Sequence, residues 1–450
     1  MLLHRIKSSP FGKLFYSIPW AGYAYHFTLS FLSALRYGFP SRRLVTIGVT
    51  GTKGKTTTCN LIAQIFEAAG ERVGMITTVN FKIGEREWVN DLKQTMPGRF
   101  ALQKLLREMV SAGCKYAVVE TSSEGILQYR HRFIDYRVAV FTNLSPEHIE
   151  RHGSFERYRA AKVKLFEQVA RRRGVGVYNL DDPNVGYFLA PKMSEQYGYA
   201  LKAPASNPAL QTNAQFRVSG VQLATAKTKF MFDRAPFAMP LVGEFNVYNA
   251  ASAICVAHSQ GVPMGTIRRA LAHARPTPGR FEVVDKGQGF TVVVDYAHEP
   301  ASLDAAYKTL KLFRPKKIIG VLGAQGGGRD KWKRAEMGKI AARYCDTLIL
   351  TNEDPYDENP MNIVVDIEKG VRGSGRDVEA LKIIDRGEAI QKAVARAGRG
   401  DAVIITGKGG EVWMCVAGGR KISWSDREAT EEALSMRRQK IKKAASAPQS

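Results

Sequence analysis

Short apolar runs rich in β-branched residues alternate along this chain with stretches whose apolar positions recur every three to four residues. That alternation predicts a parallel sheet covered by helices on both faces. Leu44-Val45-Thr46-Ile47-Gly48-Val49 reads as a buried strand and Cys59 to Ala69 as the helix after it. Val73–Thr78, Tyr116–Glu120 and Val138–Phe141 read as further strands, with helices over 98–112 and 154–170. Residues 201–240 are weakly periodic and rich in Thr, Ala and Pro, which predicts an irregular β-rich insertion. Arg275-Pro276-Thr277-Pro278-Gly279 interrupts a helical run and marks a linker. Beyond it, β-runs at Thr291–Val294, Lys317–Leu322, Thr347–Leu350 and Ala402–Thr406 alternate with helices. The expected organisation is an N-terminal segment (1–43), a central α/β domain (44–276), a smaller Rossmann-like α/β domain (277–436) and a basic, flexible tail (437–450).

The N-terminal segment breaks the pattern. No Asp, Glu, Lys or Arg lies between Lys13 and Arg36, while Phe15, Tyr16, Trp20, Tyr23, Tyr25, Phe27, Phe31 and Leu32 crowd the stretch. Pro19, Gly22, His26 and several hydroxyl residues make it a poor spanning helix. A helix lying in a membrane interface, giving peripheral contact through residues 1–40, and a helix packed on the protein's own surface both fit.

With 450 residues, 44% hydrophobic and 24% charged, the chain is long enough for two or three domains with substantial cores. The formal net charge of +24 admits nucleic acid, acidic membrane or anionic substrates as partners. Neither zinc-finger spacing nor an RNA-binding aromatic motif accompanies the lysines and arginines, so no nucleic acid is expected. The five cysteines are far apart, and none forms a Cys-x-x-Cys pair. A reducing, cytoplasmic setting follows.

Candidate chemistry begins at Gly51-Thr52-Lys53-Gly54-Lys55-Thr56-Thr57, between the first strand and its helix. A glycine-rich turn there exposes successive backbone N–H groups at a helix N-terminus, a cradle for polyphosphate. Lys55 would reach the terminal phosphates, and Thr56 would help hold Mg²⁺. Val49 stands where the strict P-loop pattern asks for glycine. The fold class predicted is thus α/β, a P-loop parallel-sheet ATPase domain followed by the Rossmann-like one. Glu120 closes one strand and His148 follows the next, suiting both as Mg²⁺ ligands on a nucleotide. Lys162 sits among small and apolar residues, where burial would free its amine, although a snorkelling surface lysine also fits. Arg280 and Asp295 could close over ATP, or pair structurally with each other.

The ordered motifs Gly51–Thr56, Glu120-Thr121-Ser122-Ser123, Phe141-Thr142-Asn143-Leu144 with His148, Gly243–Asn249, Gly279-Arg280-Phe281-Glu282 and Asp295-Tyr296-Ala297-His298 resemble those of Mur ligases. The resemblance runs from about Leu44 to Gly418 and is strongest to the tripeptide-forming branch. It implies an ATP-dependent amide ligase of cell-wall synthesis. A carboxylate of a muramoyl-peptide-like acceptor would take the γ-phosphoryl of ATP, and the amine of a free amino acid would displace phosphate. It further implies that Gly51, Thr52, Lys53, Gly54, Lys55, Thr56 and Thr57 bind ATP. Asn249, Arg280 and Asp295 would contact the nucleotide. Thr56, Glu120, His148 and a carbamylated Lys162 would hold the metal. Thr95, Ser122, Gln128 and Arg130 fall at the acceptor site, and Arg329, Glu353, Asp354, Gly407 and Glu411 at the pocket for the incoming amino acid, with Glu411 facing a distal ammonium.

Two departures shape the reading. The family's diaminopimelate-selecting Asp-Asn-Pro-Arg stands here as Glu353-Asp354-Pro355-Tyr356, so a bidentate partner for a second carboxylate is lost and lysine or another diamino acid is expected. Only 43 residues precede the first strand, without the domain that grips UDP, and the Thr-Thr-Pro substrate motif reads Thr95-Met96-Pro97. An acceptor without UDP, lipid-linked or a polyamino acid, is the alternative, and a nucleotide-binding protein without ligase activity is a third.

Overall fold

A computed structural model of the chain describes residues 19–92, 94–202 and 214–446. It divides into two compact units: Met1–Ser145 with Phe155–Val218 and Asn249–Ala270, and Pro146–Ser154 with Ser219–Tyr248 and Leu271–Ser450. The last run begins close to the expected linker, whereas the two short excursions into the second unit have no signature in the periodicity.

In the first unit, β1 (Val45–Thr50) lies between β5 (Tyr116–Glu120) and β6 (Tyr136–Phe141), parallel to both. Outward from β5 come β2 (Val73–Ile76), β3 (Asn80–Ile83) and β4 (Arg86–Val89). Outward from β6 come β7 (Val175–Asn179), β8 (Glu195–Ala200) and β9 (Ala214–Gln222). Among its described strands, β2–β3 and β3–β4 pair antiparallel, and β5–β2, β6–β7, β7–β8 and β8–β9 pair parallel. β5 is buried throughout, as a strand covered on both faces must be, which explains its unbroken apolar run. Gly48 sits mid-strand because a Cβ there would come within 2.9 Å of the Leu165 and Tyr136 side chains. Strand order reverses at β1, so the crevice for a ligand opens beyond its carboxyl end.

The helix after β1 is Lys55–Ala68, beginning four residues before the expected start. Gly54 at φ 79° turns the chain directly into it. The threonines that follow carry low helix propensity, which hid this first turn from the pattern. Helices Arg99–Ser111 and Phe155–Ala170 cover the sheet close to where periodicity placed them.

Helix Pro19–Arg36 packs against Arg99–Ser111 of the same unit. Ser30 donates from its hydroxyl to the Tyr129 carbonyl at 2.8 Å, and the Phe27 and Phe31 rings meet Phe133 edge-on. Among the described residues no helix is long and apolar enough to cross a membrane. Phe15 and Tyr16 lie outside the described residues.

The expected irregular insertion is regular where described. β10 (Thr228–Phe232) and β11 (Ala235–Met239) form an antiparallel hairpin with alternating burial, grouped in the second unit. Alanines, prolines and lysines on the outward positions had masked that alternation.

The second unit's main sheet runs β12 (Glu282–Val283), β13 (Thr291–Asp295), β17 (Ala402–Thr406), β14 (Ile318–Leu322), β15 (Thr347–Leu350), β16 (Glu379–Lys382), parallel except at β12. A small hairpin, β18 (Trp413–Val416) with β19 (Arg420–Ser423), follows. The fully buried Arg386 holds Asp426 at 2.7 Å and also donates to the carbonyls of Asn352, just past β15, and of Thr406, the last residue of β17. The tail departs from expectation: helix Asp426–Ser446 continues through most of it. Acidic residues open this helix and basic ones close it, in line with its dipole, while Ala433 and Leu434 pack on helix Arg386–Arg396. All five cysteines are buried and free.

Candidate active site: a glycine turn and two groups of buried charge

In the first unit, the turn Gly51–Gly54 leaves β1 at the strand-order reversal. Asn143, just beyond β6, clamps it: its carbonyl accepts from Thr52 N–H at 2.8 Å, its side-chain oxygen from Lys53 N–H at 2.9 Å, and its amide donates to the Lys53 carbonyl. Thr142 adds a hydroxyl bond to that carbonyl at 2.7 Å. Gly54 has no room for a side chain, since a Cβ would stand 2.2 Å from the Asn249 side-chain oxygen. Asn249 therefore seats the turn from behind, and Asn143 is a turn-holding position that the motif contained but that no assigned role had singled out.

Thr56 donates to Glu120 at 2.8 Å, and Thr78 N–H donates to the same carboxylate oxygen at 2.8 Å. Glu120 is brought there by register, because β5 sets it opposite Val49 of β1. Lys162 is buried, not a surface lysine: its ammonium donates to the Gly51 carbonyl at 2.7 Å and lies 4.7 Å from the Tyr158 ring centre. Lys55 donates to the Thr52 carbonyl at 2.8 Å. A hydroxyl and a carboxylate oxygen side by side are hard donors of the kind Mg²⁺ takes, so Thr56 and Glu120 fit that ion.

Beside this group lie the acceptor candidates. Thr95 accepts from Thr78 at 2.9 Å. Arg130 reaches the Gln128 side-chain oxygen at 2.7 Å, Gln94 at 3.0 Å and the Met96 carbonyl. Burial, then the Arg99 charge, pulls the Arg130 guanidinium below its usual range. Ser122 caps helix Ser123–Leu127 by accepting from Gly125 N–H, a structural duty the motif did not reveal.

The second unit holds the other candidates. Asp295 accepts from Phe281 N–H at 2.7 Å and Ala297 N–H at 2.8 Å. Burial raises its carboxyl, opposed by those N–H groups and by Arg280. Arg280 stacks on Tyr296 with 4.0 Å to the ring centre. Tyr296 donates to Glu411 at 3.3 Å. The fully buried Lys408, missed in the sequence, joins Glu411 at 2.7 Å and Asp354 at 3.0 Å. Glu411 thus already faces an ammonium from its own chain. Glu353 is fully buried, and among the described residues neither of its carboxylate oxygens has a hydrogen-bond partner; burial, then Asp354, pushes its carboxyl up. A Cβ on Gly407 would come within 2.6 Å of it. Tyr356 accepts from Arg329 at 3.4 Å. His148 lies in the Pro146–Ser154 excursion that groups with this unit, at φ 57°, and its N–H donates to Asp330.

A glycine turn at the strand-order reversal of one α/β unit, with a second Rossmann-like unit after it in the chain, is the organisation of a nucleotide-binding protein built on a phosphate-binding loop. Comparison with known proteins agrees. Residues 49–257 match the Mur ligase middle domain and residues 279–409 the Mur ligase glutamate ligase domain. The chain is 40% identical to UDP-N-acetylmuramoyl-L-alanyl-D-glutamate–2,6-diaminopimelate ligase of Geobacillus thermodenitrificans, over 91% of this chain and 83% of that one. It is 37% identical to UDP-N-acetylmuramyl-tripeptide synthetase of Roseiflexus sp., over 90% and 81%. Among solved structures, a UDP-N-acetylmuramoyl-L-alanyl-D-glutamate–2,6-diaminopimelate ligase superposes with TM-score 0.57 at 30% identity, over 88% of this chain and 79% of that one. MurF of Acinetobacter baumannii, at 17% identity and TM-score 0.63 over 91% and 80%, shares the fold. The chain belongs to the Mur ligase family and is an ATP-dependent ligase.

Proposed function

We propose that this ligase joins a diamino acid lacking a second carboxylate, such as lysine, to a carboxylate of a muramoyl-peptide-like acceptor through an acyl phosphate. The observation that carries the reading is the first unit's array, in which Lys55, Thr56, Glu120 and Lys162 all converge on the glycine turn. A carboxylate is a poor electrophile with a poor leaving group. Transfer of the γ-phosphoryl to its oxygen makes phosphate the leaving group, and the incoming amine then attacks the carbonyl carbon, forming the amide. Backbone N–H groups of the turn and the helix behind it cradle the phosphates, and Lys55 carries terminal phosphate charge. Thr56, Glu120 and Lys162 in its carbamylated form would hold Mg²⁺, which would supply charge neutralisation on the phosphate oxygens. Asn249, beside Gly54, would contact the nucleotide.

Thr95, Ser122, Gln128 and Arg130 would bind the acceptor, Arg130 pairing with a carboxylate. Arg329, Glu353, Asp354, Gly407 and Glu411 would line the amino acid pocket. Tyr356 standing in place of the family's arginine supports an incoming residue without a distal carboxylate, and the unpartnered Glu353 supports a distal ammonium. The five buried free thiols suit a reducing cytoplasm.

The test is ADP and amide formation across a panel of amino acids, with UDP-muramoyl-dipeptide present or omitted. Lysine or a similar diamino acid should outpace diaminopimelate. Diaminopimelate used as fast as lysine would defeat the Tyr356 argument. Turnover only with a non-UDP acceptor would move the acceptor assignment instead.

A further inference from the structure

Helix Pro19–Arg36 is amphipathic the wrong way round. Its inward positions include Ser30, Ser33 and Ala34, all buried. Tyr23, Phe27, Phe31, Leu32 and Leu35 remain 55, 44, 40, 44 and 55% exposed. Helices on water-facing surfaces carry charge where this one carries rings and leucines. At about 100° per residue, Phe31, Leu35 and Leu32 share an outward arc of roughly 100°, while Tyr23 and Phe27 fall beside the buried Ala34 and lean on Tyr129 and Phe133. Arginines edge the patch: Arg36 lies over Tyr37, Arg42 over Phe39 and Arg132 over Tyr129. The helix itself has no acidic residue. An exposed apolar stripe with a cationic rim and no acidic residue of its own matches an anionic lipid surface in charge.

The same helix holds the acceptor candidates. Tyr129, between Gln128 and Arg130, stacks on Tyr23 with 6.1 Å between ring centres and takes the Ser30 hydroxyl bond on its carbonyl. Arg99 bridges His26 of the helix to the Gln128 carbonyl.

We propose that helix Pro19–Arg36 lies in the interface of an anionic bilayer and presents the Gln128–Arg130 segment there to an acceptor carried on a lipid. The presentation of an acceptor rests on the acceptor role proposed above; the lipid contact does not.

The test floats the full chain with phosphatidylglycerol/phosphatidylethanolamine vesicles or with phosphatidylcholine vesicles at near-physiological salt, alongside sedimentation without lipid. Binding to the anionic vesicles is expected. Leu32→Gln/Leu35→Gln should lower the partition coefficient roughly tenfold, with melting temperature and ATP turnover unchanged. The inference is overturned if the wild type ignores both vesicle types or if the double variant binds equally well. It is overturned too if the wild type dimerises through these leucines and does not bind lipid. Ligase turnover with no vesicle binding sinks this inference alone, and vesicle binding without turnover sinks the ligase assignments alone. Faster amidation of a lipid-linked than of a soluble acceptor on vesicles is the expected sign of presentation, and equal rates would remove it.

Discussion

Gly54→Ala isolates what the glycine turn contributes to nucleotide binding. The residue sits at φ 79° and ψ −10°, where an L-residue costs about 1–2 kcal/mol. The added methyl would also stand 2.2 Å from the Asn249 side-chain oxygen, far inside contact distance, so either the turn or Asn249 must shift. Displacing Asn249 weakens its contact with the Thr58 hydroxyl, already long at 3.4 Å, so that loss adds at most about 1 kcal/mol. The two effects together come to about 1–3 kcal/mol, a rise of roughly 5- to 150-fold in the Kd for ATP. Isothermal titration with ATP and Mg²⁺, on Gly54→Ala, Asn249→Ala and the double variant, separates them. If the clash matters, the double variant should bind more tightly than the two single losses added together predict, leaving mainly the backbone penalty. Wild-type affinity in Gly54→Ala would refute the cradle. Strict additivity would show that Asn249 does not seat the turn.

Three other outcomes follow from the same geometry. Lys162→Ala should abolish turnover, with partial recovery on adding short carboxylates in a steady-state assay; wild-type turnover would remove Lys162 from the site. Lys408→Met leaves Asp354 and Glu411 without their buried counter-charge and should cost about 3–5 kcal/mol in denaturant titration, with the second unit's melting most affected. His131 is buried, and burial first, then Arg132 and Lys164, lowers its pKa to about 3. The unfolded chain takes up that proton near pH 6.5 and the folded one does not, so stability is complete above about pH 6.5 and falls as the pH drops towards 3. At pH 5 the loss is about 2 kcal/mol. In urea melts, His131→Phe should flatten that slope, and an unchanged slope would exonerate the histidine.

Much of the central strand layer could be read in advance, because strands buried on both faces carry unbroken apolar runs, as Tyr116–Glu120 does. The glycine turn was legible for the same reason: a strand must end before it and a helix begin after it. Lys408 was not, since Gly407-Lys408-Gly409-Gly410 reads as an exposed loop until Asp354, more than fifty positions earlier, is folded against it. The hairpin over 228–239 was hidden by small and charged residues on its open face. Nor could periodicity assign Pro146–Ser154 or Ser219–Tyr248 to the second unit, because that depends on contacts distant in sequence. Ser122 shows the converse: its motif pointed to substrate, while the fold also employs it as a helix cap.

The buried bond between Arg386 and Asp426 ties the end of the chain to the loops proposed above to line the amino acid pocket. Through Arg386, the final helix is anchored to the carbonyls of Asn352 and Thr406, the residues immediately before Glu353 and Gly407. Clipping the chain ahead of Asp426 would strand a guanidinium in the interior and slacken both loops at once. A cut made well away from the proposed amino acid pocket would then blur the proposed choice between diamino acids before it unfolded the protein.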